Sequence, residues 1–379
     1  MQANEIELGA VITDIAAGPF GSNLKVSSFV DSGFPIIDGA NLKGYKVTDN
    51  ITKFVTEEKA RSLHRSIAHR GDVVVTISGT VGQISYIPED SQYSEYLCSQ
   101  SQFRATFDTS RVYVPYLVFY FHTYEGQHKI LSFANQTGVP ALAQPLKNFR
   151  QIRLRLPEFM EQRKIASVIE KINDKIEKNE AINHNLQQQA IALFDSKFPC
   201  VSQGNRTIGE YIIPKRGRNL LSKDAIPGEI PVVAGGLEPA TYHNCANTKA
   251  PVLTISASGA NAGFVNLWNN PVWSSDSSYI DSSMSKDVYF WFVMLKKRQQ
   301  EIFDSQTGSA QPHIYPQHIA AMPVCELNPL AVNEYTSLVS PLFASIGANQ
   351  KENNRLAALR DALLPKLMSG EIDVSDVEI

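Results

Sequence analysis

The chain contains no run of about 18 consecutive apolar residues, so no helix is expected to cross a membrane. Its opening stretch, MQANEIELGAVITDIAAGPFG, lacks a basic region followed by an apolar one, and no secretory signal is expected there. Cysteine is scarce. Cys98, Cys200, Cys245 and Cys325 stand singly, which argues against a disulfide framework and against paired zinc ligands. These absences point to reduced thiols in a cytoplasmic chain. The eight histidines form no HExxH, and neither a GxxxxGK(S/T) phosphate loop nor a glycine-rich dinucleotide turn after a strand occurs. An amino-methylating site would need an Asn/Asp-Pro-Pro-aromatic tetrapeptide, and none is present. No charge of one sign dominates either. The net charge is −3, and the last nine residues, EIDVSDVEI, carry four acidic groups; removing those four from −3 leaves +1 for the remainder. The chain is no polycation, although local basic clusters can still meet phosphates.

What is present is an ordinary globular composition, with 43% hydrophobic and 19% charged residues in 379, a length that suits two or more domains. It also contains a copy of itself. Gln136-Thr137-Gly138 recurs as Gln306-Thr307-Gly308, 170 positions on. After the first copy, residues 158–198 place Ile165, Ile169, Ile172, Ile176, Asn179, Asn183, Leu186, Ala190 and Leu193 at alternating spacings of four and three. That spacing predicts one long helix with a coiled-coil seam, roughly 60 Å at about 1.5 Å per residue. Adding 170 gives Tyr335, Val339, Leu342, Ile346, Asn349, Asn353, Leu356, Arg360 and Leu363, the same seam with both asparagines and no gap. The offset marks an internal duplication. Antiparallel pairing sets Asn179 opposite Asn353, Asn183 opposite Asn349 and Ile169 opposite Leu363, and a polar layer of this kind penalises slipped registers. Pro341 is expected to kink the second helix or to start it, with Ser340 as N-cap.

The expected fold class is α+β: two globular α/β-type domains with short strands, two long helices forming an antiparallel coiled coil, and an internal pseudo-two-fold repeat. The boundaries are 1–157, the helix 158–198, 199–328, the helix 329–370 and an acidic tail, 371–379. Antiparallel pairing would hold the two globules at opposite ends of a rod. RGDVVVTISGTVGQISYI in the first globule and PVLTISASGANAGFVNLW in the second share a Thr-Ile-Ser run followed by a glycine turn. Ser78, Thr80, Gln83, Ser256, Ser258 and Asn261 crowd these turns, where hydroxyls and amides can read base edges. Lys215, Arg216 and Arg218 form the densest basic loop, Arg150, Arg153 and Arg155 are read as alternating along a strand, and Lys296, Lys297 and Arg298 as capping a helix C-terminus. The turn residues equally suit ordinary turn chemistry and the basic ones plain solvation. Asp49 with Glu57, Glu58 and Lys59 fits a metal-nuclease spacing only loosely, and a solvated helix end accounts for it better.

GPFGSNLK (18–25), RGDVVVTISGTVG (70–82), LPEFMEQRKIA (156–166) and LRDALLPKLMSGEI (359–372), in this order, resemble the specificity subunits of type I restriction–modification systems across nearly the whole chain. The resemblance implies two target-recognition domains, each reading half of a bipartite site in double-stranded DNA, with the helices as a ruler. It implies no catalysis and no cofactor or metal in this chain. Two modification subunits using S-adenosylmethionine, and restriction subunits using ATP and Mg, would dock on it. Lys25, Gln136, Thr137, Gln306 and Thr307 then join the DNA-binding candidates, and Glu161, Gln162 and Arg163 become docking candidates. The second domain has IIPKRGRNL where the first has AAGPFGSNL, so different half-sites are expected; Ala331-Val332 where the first helix has Glu161-Gln162 argues against equivalent docking. A coiled-coil scaffold or degenerate specificity subunit that reads no sequence, and a nuclease using Asp49 and Glu57, remain as alternatives.

Overall fold

In the computed structural model, residues 4–135, 140–308 and 311–378 are described. Contacts divide the chain into two compact units, Met1–Asp174 with Leu356–Ile379, and Lys175–Arg355. Each contains part of both long helices, Phe159–Lys197 and Pro329–Ser369. No helix among the described residues is long and apolar enough to cross a membrane.

The first unit is built on an antiparallel sheet in the order Ile12–Ala17, Gln102–Phe107, Val73–Thr76, Ile84–Tyr86. Its strands are rich in Val, Ile, Phe and Thr, residues that fit a pleated and packed surface. Phe103, Ala105, Val73 and Val75 point into one core with Leu117, Val118 and Phe121 of the helix Val114–Phe121. The opposite face meets a smaller five-stranded sheet through Val74, Ile37, Ala68 and Tyr96, and that sheet contains one parallel pair, Phe34–Ile37 beside Glu95–Cys98.

The second unit repeats this plan with different residues. Its antiparallel sheet runs Lys215–Arg216, Ser277–Asp281, Val252–Ser256, Val265–Trp268. The helix Val288–Lys297, VYFWFVMLKK, supplies the buried aromatics Phe290, Trp291 and Phe292. A three-stranded sheet again contains one parallel pair, Ile230–Val233 beside Trp273–Ser274. The entry is repeated too: Leu8 N–H donates to the Ile152 carbonyl at 2.9 Å, and Ile208 N–H to the Met322 carbonyl at 3.0 Å.

In the second unit the helices run antiparallel, and the asparagines of their polar layer bond across the pair. Asn179, 1% exposed, donates Nδ2 to Asn353 Oδ1 at 2.8 Å and to Glu352 Oε2 at 2.7 Å. Asn349 Nδ2 donates to Asn183 Oδ1 at 2.8 Å, and Lys175 pairs with Glu352 at 3.3 Å. Tyr335 donates its hydroxyl to the Ala190 carbonyl at 2.9 Å. In the first unit, Ile165 and Ile169 pack with Leu364 and Leu367. Arg360, polar at a seam position, lies 5.5 Å over the Tyr45 ring and donates to Asn173 Oδ1 at 3.2 Å.

Two expectations are corrected here. The second helix starts at Pro329, the bound expected for it, and the alternative start at Pro341 is overturned: the Asn328 side chain accepts the Leu330 N–H at 2.9 Å, and Pro329 takes the first helical position, where a missing N–H costs nothing. Pro341 sits exposed within the continuous helix, and Ser340 donates its hydroxyl to the Thr336 carbonyl at 2.6 Å rather than capping. The seam also shifts by one residue near each helix end: Phe194 and Leu364 are buried, whereas Leu193 is 36% exposed and Leu363 half-buried. A helix of 3.6 residues per turn drifts about 20° per heptad against a 3.5-residue pattern, so over several heptads the neighbouring position takes over the buried stripe.

Two predictions follow from these contacts. Asn179→Leu leaves the Asn353 and Glu352 groups without their partner and is expected to cost roughly 1–3 kcal/mol in urea unfolding. Adding Asn353→Leu should recover stability while cysteine cross-linking along the seam reports mixed registers; a single register in the double variant refutes the role of the polar layer. In the first unit, Arg104, 7% exposed, donates to Asp14 Oδ2 at 2.6 Å and holds the Asp14 carboxyl below its ordinary value of 3.8. A depressed folded-state value means stability that is present above the ordinary value and lost as pH falls through the lowered one. Asp14→Asn should therefore lower the urea midpoint at pH 6, and the gap to wild type should close on acidification below pH 4. A gap independent of pH contradicts this.

Candidate nucleic-acid interface

Both central sheets carry the same turn, built from one set of backbone bonds. In the first unit, Thr76 N–H donates to the Gln83 carbonyl at 2.9 Å and Gly82 N–H to the Thr76 carbonyl at 3.1 Å. In the second, Ser256 N–H donates to Phe264 at 3.0 Å and Gly263 N–H to Ser256 at 2.7 Å. Gly82 and Gly263 both have φ +89°, and a side chain at either would also press on Leu131 or Ile302. A second segment then docks on each turn. Gly79 N–H donates to the Pro140 carbonyl and Gly259 N–H to that of Pro312, both at 3.1 Å. Leu142 N–H meets the Ile77 carbonyl and Ile314 N–H the Ala257 carbonyl, both at 2.9 Å. The segments joined here are the ones that follow the two QTG copies.

A glutamine clamps each turn from the neighbouring helix or helix end. Gln127 Nε2 donates to the Gly82 carbonyl at 3.1 Å and to Phe121 at 2.8 Å. Gln299 Nε2 donates to Gly263 at 2.8 Å while its Oε1 accepts from Val265 N–H at 2.9 Å. Neither residue stands out in the sequence, because a single glutamine on an amphipathic helix carries no motif. The result is a fixed base under an exposed tip, Gly79-Thr80 in one unit and Ala260 in the other.

The turn candidates divide between tip and base. Thr80 is exposed, Asn261 half-buried, and Ser78 half-buried with its hydroxyl on Ser101 Oγ at 3.0 Å. Gln83 points inward, accepting from Thr76 Oγ1 at 3.1 Å and donating to Gly39 at 3.1 Å. Ser256 is buried, and Ser258 bonds to the Asp276 carboxylate. Gln306 is a further brace, with Nε2 on the Ala262 carbonyl at 2.7 Å; Thr307 is exposed and exchanges backbone bonds with His313. Gln136 and Thr137 lie outside the described residues. Gln83, Ser256 and Gln306 direct their polar groups inward: Gln83 joins the turn to Gly39, Ser256 donates to the Ala234 carbonyl at 3.5 Å, and Gln306 braces the turn at Ala262.

The basic candidates are partly neutralised. Lys215 and Arg218 are exposed, whereas Arg216 donates to Asp276 at 2.5 Å. Arg153 and Arg155 point outward from the strand Arg153–Leu156, with Arg153 paired to Glu7 at 3.0 Å. Arg150 does not share that strand; it belongs to the short helix Pro145–Gln151. Lys25 is exposed in the GPFGSNLK segment. Lys296 donates to the Val265 carbonyl at 3.1 Å and lies 4.4 Å over Phe264, Lys297 pairs with Asp195, and Arg298 is buried against Glu301. These three are internal fastenings. Of the docking candidates, Gln162 is 0% exposed: it accepts from Tyr113 N–H at 2.8 Å and donates to the Arg111 and Pro157 carbonyls, both at 2.9 Å. It anchors the helix start and leaves no group for a partner, while Glu161 and Arg163 are half-buried at the surface.

The GPFG turn, quoted above only for its resemblance, borders a cleft of about 690 Å3 lined by Asp14–Phe20, Ser62–Ser66 and Arg104. Phe20, 82% exposed between Pro19 and Gly21, lines it together with His64 and Arg65. Asp49 is tied down elsewhere: burial tends to raise its carboxyl, but bonds from Tyr96, Gln92 and Ser91 outweigh that and hold it below the ordinary value. Glu57 pairs with Arg61 at 2.8 Å. Among the described residues no group of three His, Cys, Asp or Glu side chains is placed to hold a metal ion.

Residues 25–188 match the family profile of the type I restriction modification DNA specificity domain. Over 420 aligned residues the chain is 22% identical to the type I restriction enzyme MjaIX specificity subunit of Methanocaldococcus jannaschii, spanning 97% of this chain and 93% of that protein. The solved S subunit of a type I restriction-modification system from M. genitalium has the same fold, with a TM-score of 0.57 at 16% identity over 97% of this chain and 96% of that one. The HsdS subunit from Thermoanaerobacter tengcongensis aligns over 97% of each chain at 14% identity and a TM-score of 0.38. The duplicated unit, the paired long helices and the matched motifs converge: residues 25–188 carry the type I restriction modification DNA specificity domain, and the chain as a whole is similar to type I specificity subunits.

Proposed function

We propose that this chain is the DNA-reading, non-catalytic subunit of a type I restriction–modification complex, with each unit reading one half of a bipartite site. The observation that carries the reading is the turn built twice: a rigid, glutamine-clamped base that ends in an exposed tip differing between the copies, Thr80 against Ala260. Rigid scaffolds with variable loops suit recognition because the scaffold holds geometry while the tip changes chemistry. Lys215 and Arg218 contribute phosphate contacts in the second unit. Modification subunits that use S-adenosylmethionine, and restriction subunits that use ATP and Mg, supply the chemistry. The number of residues in the helix pair sets the unread spacer between half-sites.

Methylation mapping in cells tests each part. Substituting Thr80 should relax the half-site read by the first unit and leave the other unchanged, whereas reversing Lys215 and Arg218 to glutamate should weaken binding of the assembled complex and flatten its salt dependence, because phosphate contacts release counterions. Both half-sites intact after Thr80 substitution, with the salt slope unaltered in the reversal variant, would falsify this choice of reading surface. A scaffold that reads no sequence predicts no motif change with any variant.

One heptad inserted into each helix beside Asn179 and Asn353 keeps the seam and adds about 10 Å at about 1.5 Å per residue. The methylated motif should keep both half-sites and gain at most about three base pairs of spacer at about 3.4 Å each. Recovery of the original spacing from an active insertion variant rules out the ruler.

A further inference from the structure

In the first unit a second cleft, of about 480 Å3, opens beside the start of the first long helix. Its size falls within the roughly 300–1,000 Å3 of pockets that enclose small ligands or a few side chains. Phe159, Glu170 and Asp174 stand on one helix face, eleven and then four residues apart, and form one wall. Tyr113, Val114 and Pro115 form a second wall, and the turn from Tyr86 to Asp90 the third. The apolar part is firm: Ile87 and Val112 are buried, and the Tyr113 ring packs edge-on to Phe159 at 6.4 Å. Gln162 holds this arrangement from behind through the Tyr113 N–H.

The polar part is acidic. Glu89, Asp90, Glu170 and Asp174 line the cleft, against Lys46, which pairs with Asp174 at 3.6 Å. Glu170 accepts the Tyr113 hydroxyl at 3.0 Å; burial, then the nearby Asp174, pushes its carboxyl above the ordinary range against the pull of Tyr113, Lys46 and Arg163. Four carboxylates repel a DNA backbone, so this face is not where a duplex lies. They complement a cation, and the aromatic wall complements the stem of a long cationic side chain or an apolar neighbour.

From this cleft we infer a docking site for a protein partner that inserts a lysine or arginine side chain flanked by apolar residues. Resting on the function proposed above, the partner is a modification subunit. The second long helix has no counterpart: positions 170 residues beyond Glu170 and Asp174 are Ser340 and Ala344. The two modification subunits therefore dock unequally, and only one relies on this acidic cleft.

The test uses the complex purified from cells co-expressing all its subunits. Native mass spectrometry counts modification subunits per chain, and titration gives their two affinities. Glu170→Gln with Asp174→Asn, shape-conserving changes that spare the fold, should weaken one of the two sites about tenfold or more, the loss expected when a desolvated charge pair loses a partner. Glu170→Lys with Asp174→Lys should release one copy and retain the other. Unchanged affinities at both sites in the neutral pair overturn the inference, whatever the lysine pair does to folding; equal weakening of both sites overturns its asymmetry. A wild-type chain that holds no modification subunit overturns the functional reading itself, before any variant is compared.

Discussion

The apolar seams of the two long helices have to be covered, and that requirement organises both units. Helices of this length gain most of their stability from packing an amphipathic face rather than from intrinsic propensity. Here the seam is not separate from the globular cores. Phe194, Tyr335 and Phe343 belong to the same cluster as Phe290, Trp291 and Phe292, while Ile165 and Ile169 share one with Tyr116 and Phe119. Each globular core therefore leans on the helices, and the helices on the core. Asn179 is the most deeply buried of the polar seam residues, and its bonds to Asn353 and Glu352 offset part of the cost of burying it.

The duplicated turns illustrate how a shape can persist while residues change. Gly82 and Gly263 occupy the same left-handed conformation, and two glutamines from dissimilar helices reach the same carbonyl. Such bonds are to backbone atoms, so they constrain the path of the chain without constraining most side chains along it. The exposed tip is left free to vary.

Counting cations would have misjudged the surface. Arg216, Arg153 and Lys297 are each held by a carboxylate, and Arg298 is buried with its own. Exposed ion pairs contribute little, about 0–1 kcal/mol, so Arg216 and Arg153 can exchange their carboxylate for a phosphate at small cost. Buried Arg298 cannot. The cleft beside Phe159 gathers four carboxylates, whereas the GPFG cleft holds Asp14 paired with Arg104 and one further arginine, Arg65, so the two differ in charge within one unit.

The long helices, their antiparallel asparagine layer and the duplication were legible in the sequence, because a seven-residue repeat and a gapless 170-residue offset are periodic signals that chance does not sustain. The two Thr-Ile-Ser runs marked the matching strand and glycine turn but two residues out of register: in the fold Thr76 corresponds to Ser256, the last residue of its strand. Local chemistry was enough to mark Pro341 as a helix breaker, yet tertiary packing carries the helix through it, and the start falls at Asn328-Pro329. Only the folded chain decided which polar side chains face solvent: Gln83, Gln162 and Gln306 turn inward because unpaired backbone groups there require partners, a demand set by residues far away in sequence. Clefts were invisible for the same reason, since their walls come from segments that meet only after folding. Periodicity is written along the chain, whereas the environment of a single side chain is set across it.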